Sequence, residues 1–376
     1  MVTIKNVTND KKGMKDFINL VYDLYRDEPN WTPPLKMMMK EFFHPKKGPF
    51  FAHGEVAFFV GYIDGIPLGR VTAQIDHTYD KKYNVRQGAF GFYESQNDPE
   101  MARDLMAEVE KWLKDKNCDN CIGPMNFCGN DDNMGFLLEG HERTNAVMLT
   151  WTKKYYPALF ETLGYQQEKI LVSYVLENVK KVPDIVTKWK KRLEQRFGDS
   201  IEIKKITKKN MLEYGKICLH IYNEAWTDNW GFVPMTDFEI ENMLNDIKQI
   251  ADLNLLHLIY KNNEPAACLI GIPDINQLLV NNRNGNLTPK IMWNFLFGFK
   301  KINNLRVIIM GVKPKFRNLG LDFLLYNEIF SKPLQHTNYR NTEMGWVVES
   351  NSRMLKILER LGAKVANRFL VVNKEL

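Results

Sequence analysis

The 376-residue chain contains no run of about 18 uncharged apolar residues, so a membrane-spanning helix is not expected. Its start, Met1-Val-Thr-Ile-Lys-Asn6, lacks the apolar stretch of a secretory leader. Cysteine is scarce: five residues, an odd number that builds no disulfide framework and points to a reducing cytoplasm. Cys118-x-x-Cys121, with Cys128 and His141 beyond it, has no second pair at ligand spacing, so buried thiols and no metal site are expected. His77, His220 and His257 stand alone and read as polar surface or satisfied core positions. Charge of one sign is barely in excess: 51 Lys and Arg against 45 Asp and Glu, a net +6 that suits an anionic small molecule. The basic run Lys188–Arg196 carries a single aromatic, Trp189. It predicts a solvated helix face rather than a nucleic-acid groove.

What the chain does have is material for two cores. Hydrophobic residues make up 44% and charged residues 26%, and the length exceeds what one core supports. The halves repeat. Leu159-Phe-Glu-Thr-Leu-Gly-Tyr165 parallels Ile357-Leu-Glu-Arg-Leu-Gly-Ala363, an offset of 198 residues from Gly164 to Gly362. The same offset relates Pro67 to Pro265, each in a turn between two apolar runs that predict antiparallel hairpins: Val56–Ile63 with Leu68–Ile75, and Leu255–Tyr260 with Ala266–Ile272. Asn30-Trp31-x-x-Pro34 is echoed by Asn229-Trp230-x-x-x-Pro234. These matches predict two copies of one fold, residues 1–180 and 181–376, with the boundary at the basic helix-like stretch 183–197.

The copies differ where chemistry is expected. In the second, the apolar run Leu305–Met310 predicts a buried strand that leads into Gly311-Val-Lys-Pro-Lys-Phe-Arg-Asn-Leu-Gly-Leu-Asp322. A helix follows, striped by Leu321, Leu324, Leu325 and Ile329. A glycine at such a strand-to-helix turn lets backbone N–H groups converge, and the helix N-terminus adds partial positive charge, an arrangement suited to a pyrophosphate. Thirty residues later, Asn351-Ser-Arg-Met-Leu-Lys-Ile-Leu-Glu-Arg-Leu-Gly-Ala363 predicts a helix ending at Gly362. In the first copy, the strand Gly88–Glu94 passes directly into a helix capped by Asp98 and started by Pro99, with Leu105, Val109, Trp112 and Leu113 as its stripe. No Arg-x-x-Gly loop intervenes there.

Val312, Pro314, Arg317 and Gly320, followed by Asn351, Ile357 and Gly362, resemble the acyl-CoA-binding core of the GNAT N-acetyltransferase superfamily. The resemblance implies an α/β (α+β) fold of two tandem domains, each a mixed, mainly antiparallel twisted sheet flanked by helices. It implies acetyl-CoA or another acyl-CoA as co-substrate, held by Gly311, Val312, Arg317, Asn318, Leu319, Gly320, Leu321, Asp322 and Asn351. Two positions depart from the pattern: Asp322 stands where Gly or Ala is usual, and Leu358 replaces a tyrosine that often acts as general acid. Tyr326 is the nearest substitute for that acid, although its place in the helix favours a core role. Over nearly the whole length the chain resembles a bacterial family of paired GNAT-like proteins through Phe90-Gly-Phe-Tyr-Glu94, Gly123-Pro-x-Asn126, Asn229-Trp-Gly-Phe-Val-Pro234 and Glu343-Met-x-Trp346-x-x-Glu349. A looser likeness to bacterial ceramide-synthase-type acyltransferases implies a long acyl donor and a lipid amine.

N-acyl transfer needs a neutral amine, a polarised thioester and a group to take the ammonium proton. Strict alternation along a strand 342–349 puts Glu343, Gly345, Val347 and Glu349 on one face. In the geometry the resemblance implies, the strand's end lies beside the thioester, so Glu349 and then Glu343 are the candidate bases. Glu224, Trp230 and Glu94 are the candidate acceptor-binding residues, the acceptor being a small-molecule or lipid amine. A paired protein that binds CoA without catalysis is the remaining reading. The aromatic run Ile291–Phe299, flanked by Lys290, Lys300 and Lys301, reads first as a buried helix between domains, with an acyl tunnel or a membrane surface as alternatives. Lys36–Phe43, rich in methionine, reads the same way. Acyl length, acceptor and oligomeric state are not encoded in any motif.

Overall fold

The computed structural model describes residues 1–127 and 133–376, apart from the side chains of residues 246, 332 and 334–336; Cys128 lies outside the described residues. The first half runs β1 (Val2–Asn6), α1 (Lys11–Leu24), α2 (Lys36–Phe42), β2 (Gly54–Ile63), β3 (Ile66–Asp76), α3 (His77–Tyr83), β4 (Gln87–Ser95), α4 (Pro99–Asp115), β5 (Asn120–Gly123), β6 (Phe136–Glu139), α5 (Tyr156–Thr162) and β7 (Gln166–Leu176). The second runs α6 (Asp184–Phe197), β8 (Ile201–Lys204), α7 (Met211–Ala225), α8 (Asp237–Ile250), β9 (Leu256–Lys261), β10 (Glu264–Pro273), α9 (Asn276–Leu279), α10 (Pro289–Phe297), β11 (Asn304–Val312), α11 (Leu321–His336), β12 (Asn341–Val348), α12 (Ser352–Arg360) and β13 (Lys364–Glu375).

Two compact units form, and neither is contiguous in sequence. One comprises Met1–Leu171, Leu279–Trp293 and Asn367–Leu376; the other comprises Val172–Leu278 and Asn294–Ala366. The sequence reading placed one cut after residue 180, whereas most of β13 joins the first unit and the end of β7 joins the second. A local sequence pattern identifies a strand but not the sheet that completes its hydrogen bonds.

In the first unit the strand order is β1-β2-β3-β4-β5-β13, with β6 also on β13. Only the β4/β5 pair is parallel among these assigned pairs. The β2/β3 hairpin turns at Asp64-Gly65, both left-handed (φ 50° and 79°), the mirror-image turn that matches strand twist. Asp98 caps α4 by accepting from the N–H groups of Glu100 and Met101. Leu105, Val109 and Leu113 of that helix are fully buried against a core that includes Val71, Ala73, Phe90 and Phe160.

The second unit has the order β7-β12-β11-β10-β9-β8, with β11 and β12 parallel. Its β9/β10 hairpin turns at Asn262-Asn263 (φ 52° and 61°), the counterpart of Asp64-Gly65. The repeated Leu-Gly ends also match at the level of hydrogen bonds. Tyr165 N–H donates to Phe160 O at 3.1 Å and Ala363 N–H donates to Leu358 O at 3.1 Å, so both helices stop in the same way.

Two expectations about burial fail. Along Ile291–Phe299, Met292, Trp293, Leu296 and Phe297 are exposed, and in α2 Met37 and Met38 are exposed as well. A helix that is apolar on every face reads as buried from sequence, but a helix packed on one side only leaves the rest in water. By contrast Phe42 and Phe43, at the end of the second segment, pack on Phe92 at 6.1 Å and 4.8 Å.

Candidate active site

In the second unit β11 and β12 pair in parallel from Asn304↔Asn341 to Val307↔Met344, and there the pairing stops. Beyond that point β11 stays on β10 as far as Val312↔Ala267, while β12 continues to Val348 without a β11 partner. The strands therefore splay, and side chains take backbone groups that a continuous ladder would consume, Trp226 at Met310 O and Arg306 at Gly345 O. Buried Arg306 and Glu343 are register partners just before the splay. The Arg306 guanidinium donates to Gly345 O at 3.0 Å, and Ser173 Oγ donates to Glu343 Oε1 at 2.8 Å.

The chain leaves β11 through Lys313 and Pro314 into the predicted loop. Arg317 donates to Ala225 O at 2.7 Å, pinning the loop to the end of α7. Asn318 and Gly320 are left-handed (φ 65° and 89°), and Gly320 opens the 16-residue α11. A Cβ on Gly320 would lie 3.3 Å from the Trp189 ring and hold the same left-handed backbone, so only glycine fits without strain. Trp189, on α6, also stacks on Phe323 (centroids 5.0 Å apart, 10° between planes) and carries Arg192 over its ring. A basic helix thus leans on the first turn of α11, where the sequence reading expected only a solvated face.

Asp322 does not point away from this first turn. Its carboxyl lies in that turn beside its own backbone N–H and that of Phe323, which favour the charged form, but burial is the larger effect and holds its pKa above the ordinary aspartate value. An acidic side chain therefore sits at the N-terminal turn of α11, where helix N–H groups carry partial positive charge. The loop is tied to the next helix by Arg353, which donates to Asn318 Oδ1 at 2.9 Å. Asn351 caps α12, accepting from Met354 N–H at 3.2 Å. Leu358 is core, and Tyr326 is buried with its hydroxyl on Met354 Sδ at 3.8 Å. Burial first, and Asp322 second, raise the Tyr326 pKa.

The two candidate bases part company. Gly345 takes φ 122° within β12, and the strand ends at Val348, so the expected alternation does not extend to Glu349. Glu343 is 2% exposed, whereas Glu349 follows the strand in an exposed turn. Glu349 and Val312 lie the same number of residues beyond the last β11/β12 pair, each at the open end of the splay. Nearby, Glu224 forms an ion pair with Lys313 at 2.7 Å. Trp226 donates from its ring to Met310 O at 2.9 Å and packs with Tyr222 and Phe232, and half-buried Trp230 is in the loop that follows.

The first unit has the same splay, closed from within. Its β4/β5 pairing ends at Ala89↔Ile122, and β4 runs on to Ser95. Residues 124–127 turn back into the gap. Asn126 Oδ1 accepts from Phe92 N–H at 2.7 Å, Met125 N–H donates to Phe90 O at 2.8 Å, and the Gln74 amide donates to Met125 O and Phe127 O at 2.9 Å and 2.7 Å. Phe127 then stacks on Phe50 at 4.9 Å and meets Phe92 at 5.0 Å. The motif Gly123-Pro-x-Asn126 is therefore a plug, a role that no spacing rule reveals.

Glu94 is buried in this unit. Tyr25 and Tyr156 donate their phenols to its Oε2 at 2.5 Å and 2.8 Å, and Arg70 is its register partner on β3. Burial dominates and raises the Glu94 pKa, although Arg70 and the phenols oppose the rise. Replacing Glu94 by glutamine should cost about 3 kcal/mol, because buried Arg70 then loses its countercharge. The native carboxyl takes up its proton at a higher pH than the unfolded one. Wild-type stability therefore gains, relative to Glu94→Gln, as pH falls from 7 toward 5. Urea unfolding of both proteins at the two pH values measures this; a pH-independent difference would refute the buried-charge account.

The cysteine pair behaves as bland core. Cys118 and Cys121 are buried, and burial pushes their thiols up to about 11 and about 12, away from thiolate chemistry. Trp189, Ser173, Arg306 and Arg353 all touch the site region, and the sequence reading assigned none of them to it. The basic stretch carrying Trp189 was the one visible signal.

No protein-family model matches the chain. Its architecture is the fold of the GCN5-related N-acetyltransferases, in tandem. A tandem GNAT protein from the clavulanic acid biosynthesis pathway aligns with a TM-score of 0.56 over 100% of this chain and 98% of that one, at 10% identity. By sequence the chain is similar to Protein YghO of Escherichia coli strain K12, at 29% identity over 375 residues, 98% of this chain and 94% of that protein. It is also similar to the bacterial ceramide synthase of Caulobacter vibrioides, at 28% identity over 372 residues, 96% and 95% of the two chains.

Proposed function

We propose that the chain is an acyl-CoA-dependent N-acyltransferase whose donor binds the second unit. The observation that carries this reading is the β11/β12 splay beyond Val307↔Met344, opening beside a loop that ends in left-handed Gly320 at the head of α11. The backbone of residues 317–322 would hold the pyrophosphate, with Arg353 and Asn351 bracing the loop from α12. The backbone at Gly311 and Val312 would hold the pantetheine arm and donate to the thioester oxygen, a contribution on the order of 3 kcal/mol to the transition state. The amine nitrogen attacks the thioester carbon, the C–S bond breaks, and CoA leaves as the thiolate. Glu349 takes the ammonium proton at the mouth of the splay. Glu343, buried and held by Ser173, positions β12, while Glu224 and Trp230 receive the acceptor. The first unit binds no donor, because Asn126 takes the Phe92 N–H.

Among acceptors, an amphipathic amine with a long acyl donor is favoured by the similarity to a bacterial ceramide synthase over nearly the full length. Thiol release from acetyl-CoA and palmitoyl-CoA, each with butylamine and with sphinganine, tests this. Turnover confined to the long donor and sphinganine supports it, and turnover with acetyl-CoA and butylamine selects a small amine. Binding of CoA without turnover on any pair would make the chain a non-catalytic CoA-binding protein, the reading that Asp322 and Leu358 support.

Asp322 supplies a separate prediction. Because its carboxylate competes for the first-turn donors of α11, Asp322→Ala should tighten CoA binding about tenfold. Isothermal titration of both proteins with CoA decides it, and weaker binding by the variant would place the pyrophosphate elsewhere.

A further inference from the structure

We propose that α10 docks the protein on an anionic lipid surface. The helix is short and one-sided. Thr288 caps it, Oγ1 accepting from Ile291 N–H at 3.3 Å, and Pro289 begins it. Ile291 is buried and Asn294 donates to Leu278 O at 3.3 Å, so this side faces protein. The opposite arc carries Met292, Trp293, Leu296 and Phe297, which are 51%, 63%, 71% and 58% exposed. At helical spacing these four share one face. A face of this chemistry in water, with indole and phenyl rings beside two aliphatic chains, suits the boundary between lipid headgroups and acyl chains.

Charge identifies the occupant as an anionic bilayer rather than a neutral protein groove. Lys290, Lys300 and Lys301 flank the face and are exposed. No Asp or Glu occurs between Asp274 and Asp322, while the same stretch holds eight Lys or Arg residues. Of these, Arg306 is buried and Lys313, Lys315 and Arg317 pair with Glu224, Glu264 and Asp228, so it is exposed Lys290, Lys300 and Lys301 that offer positive charge to lipid phosphates. The loop before α10 also holds α2, through Lys36 N–H to Gly285 O at 2.9 Å, and α2 exposes Met37 and Met38. This docking does not depend on the acyl-transfer reading, and its readout is not activity.

Flotation of the full chain with vesicles of phosphatidylcholine, alone or with about 30 mol% phosphatidylglycerol, tests the proposal at roughly 0.1 M salt. The protein should float with the anionic vesicles only. Trp293→Ser, Leu296→Ser and Phe297→Ser together should abolish flotation, and Lys300→Ala with Lys301→Ala should weaken it roughly thirtyfold. The lysine pair leaves the apolar face untouched, so it carries the test should the triple variant lose its fold. Failure to float, or flotation indifferent to both sets, overturns the proposal. So does a triple variant that turns an oligomer into a monomer in sedimentation, since the face then covers a second copy.

Discussion

Glu349→Gln should lower turnover about a hundredfold while leaving CoA affinity within roughly twofold of wild type, because a general base acts only in the transition state. The expectation follows from where the two carboxylates sit. Glu349 is exposed after β12, as far along from the last β11/β12 pair as Val312, the residue proposed to hold the thioester. Glu343 is 2% exposed, accepts from Ser173 Oγ and pairs in register with Arg306. Glu343→Gln should therefore show itself in stability, a loss of about 3 kcal/mol from the uncompensated arginine, more than in turnover per folded molecule. The measurement is thiol release with a working acceptor, alongside urea unfolding of each variant. Normal turnover in Glu349→Gln with a large loss in folded Glu343→Gln would reverse the two roles. Normal turnover in both would move the base to another group, Glu224 being next.

Gly320→Asp should weaken CoA binding about a hundredfold or more, with one binding site per chain in the wild type. Two effects combine at this residue. The backbone is left-handed at φ 89°, and a Cβ would press on the Trp189 ring at 3.3 Å, so any side chain shifts the loop. The aspartate then adds a second acidic side chain beside Asp322, which already lies in the first turn of α11. Gly320→Ala separates the terms, since it brings the strain without the charge and should fall between the other two proteins. Calorimetry with acetyl-CoA gives stoichiometry and affinity together. Two equivalent sites in the wild type, or unchanged binding by Gly320→Asp, would show that the donor does not use this loop.

Local chemistry was legible wherever neighbours in sequence are also neighbours in space. Both hairpins, the Asp98 cap, the strand into Arg317-x-x-Gly320 and the matching Leu-Gly helix ends follow from apolar period, turn residues and capping residues. All of these act within a few positions of one another. The tandem fold was legible for the same reason, because a repeat needs only comparison of the chain with itself. The acid at Asp322 was visible as an anomaly, but whether it pointed away or capped the helix depended on its rotamer and its burial.

The sequence by itself determined the two hairpins, the tandem repeat, and the strand-loop-helix that runs through Arg317-x-x-Gly320. Tertiary structure alone decided the rest. It sent β13 to the first unit and the end of β7 to the second, because hydrogen-bond partners of a strand lie far along the chain. It filled the first splay with Asn126 and Phe127 and left the second without that plug, since a loop's path is set by the groups it must satisfy. It buried Glu343 within β12 and ended the strand at Val348, so that Glu349 falls in an exposed turn where a period of two ceases to report the face. It also left α10 in water, because burial depends on what packs against a helix, and an apolar run carries no record of its neighbour.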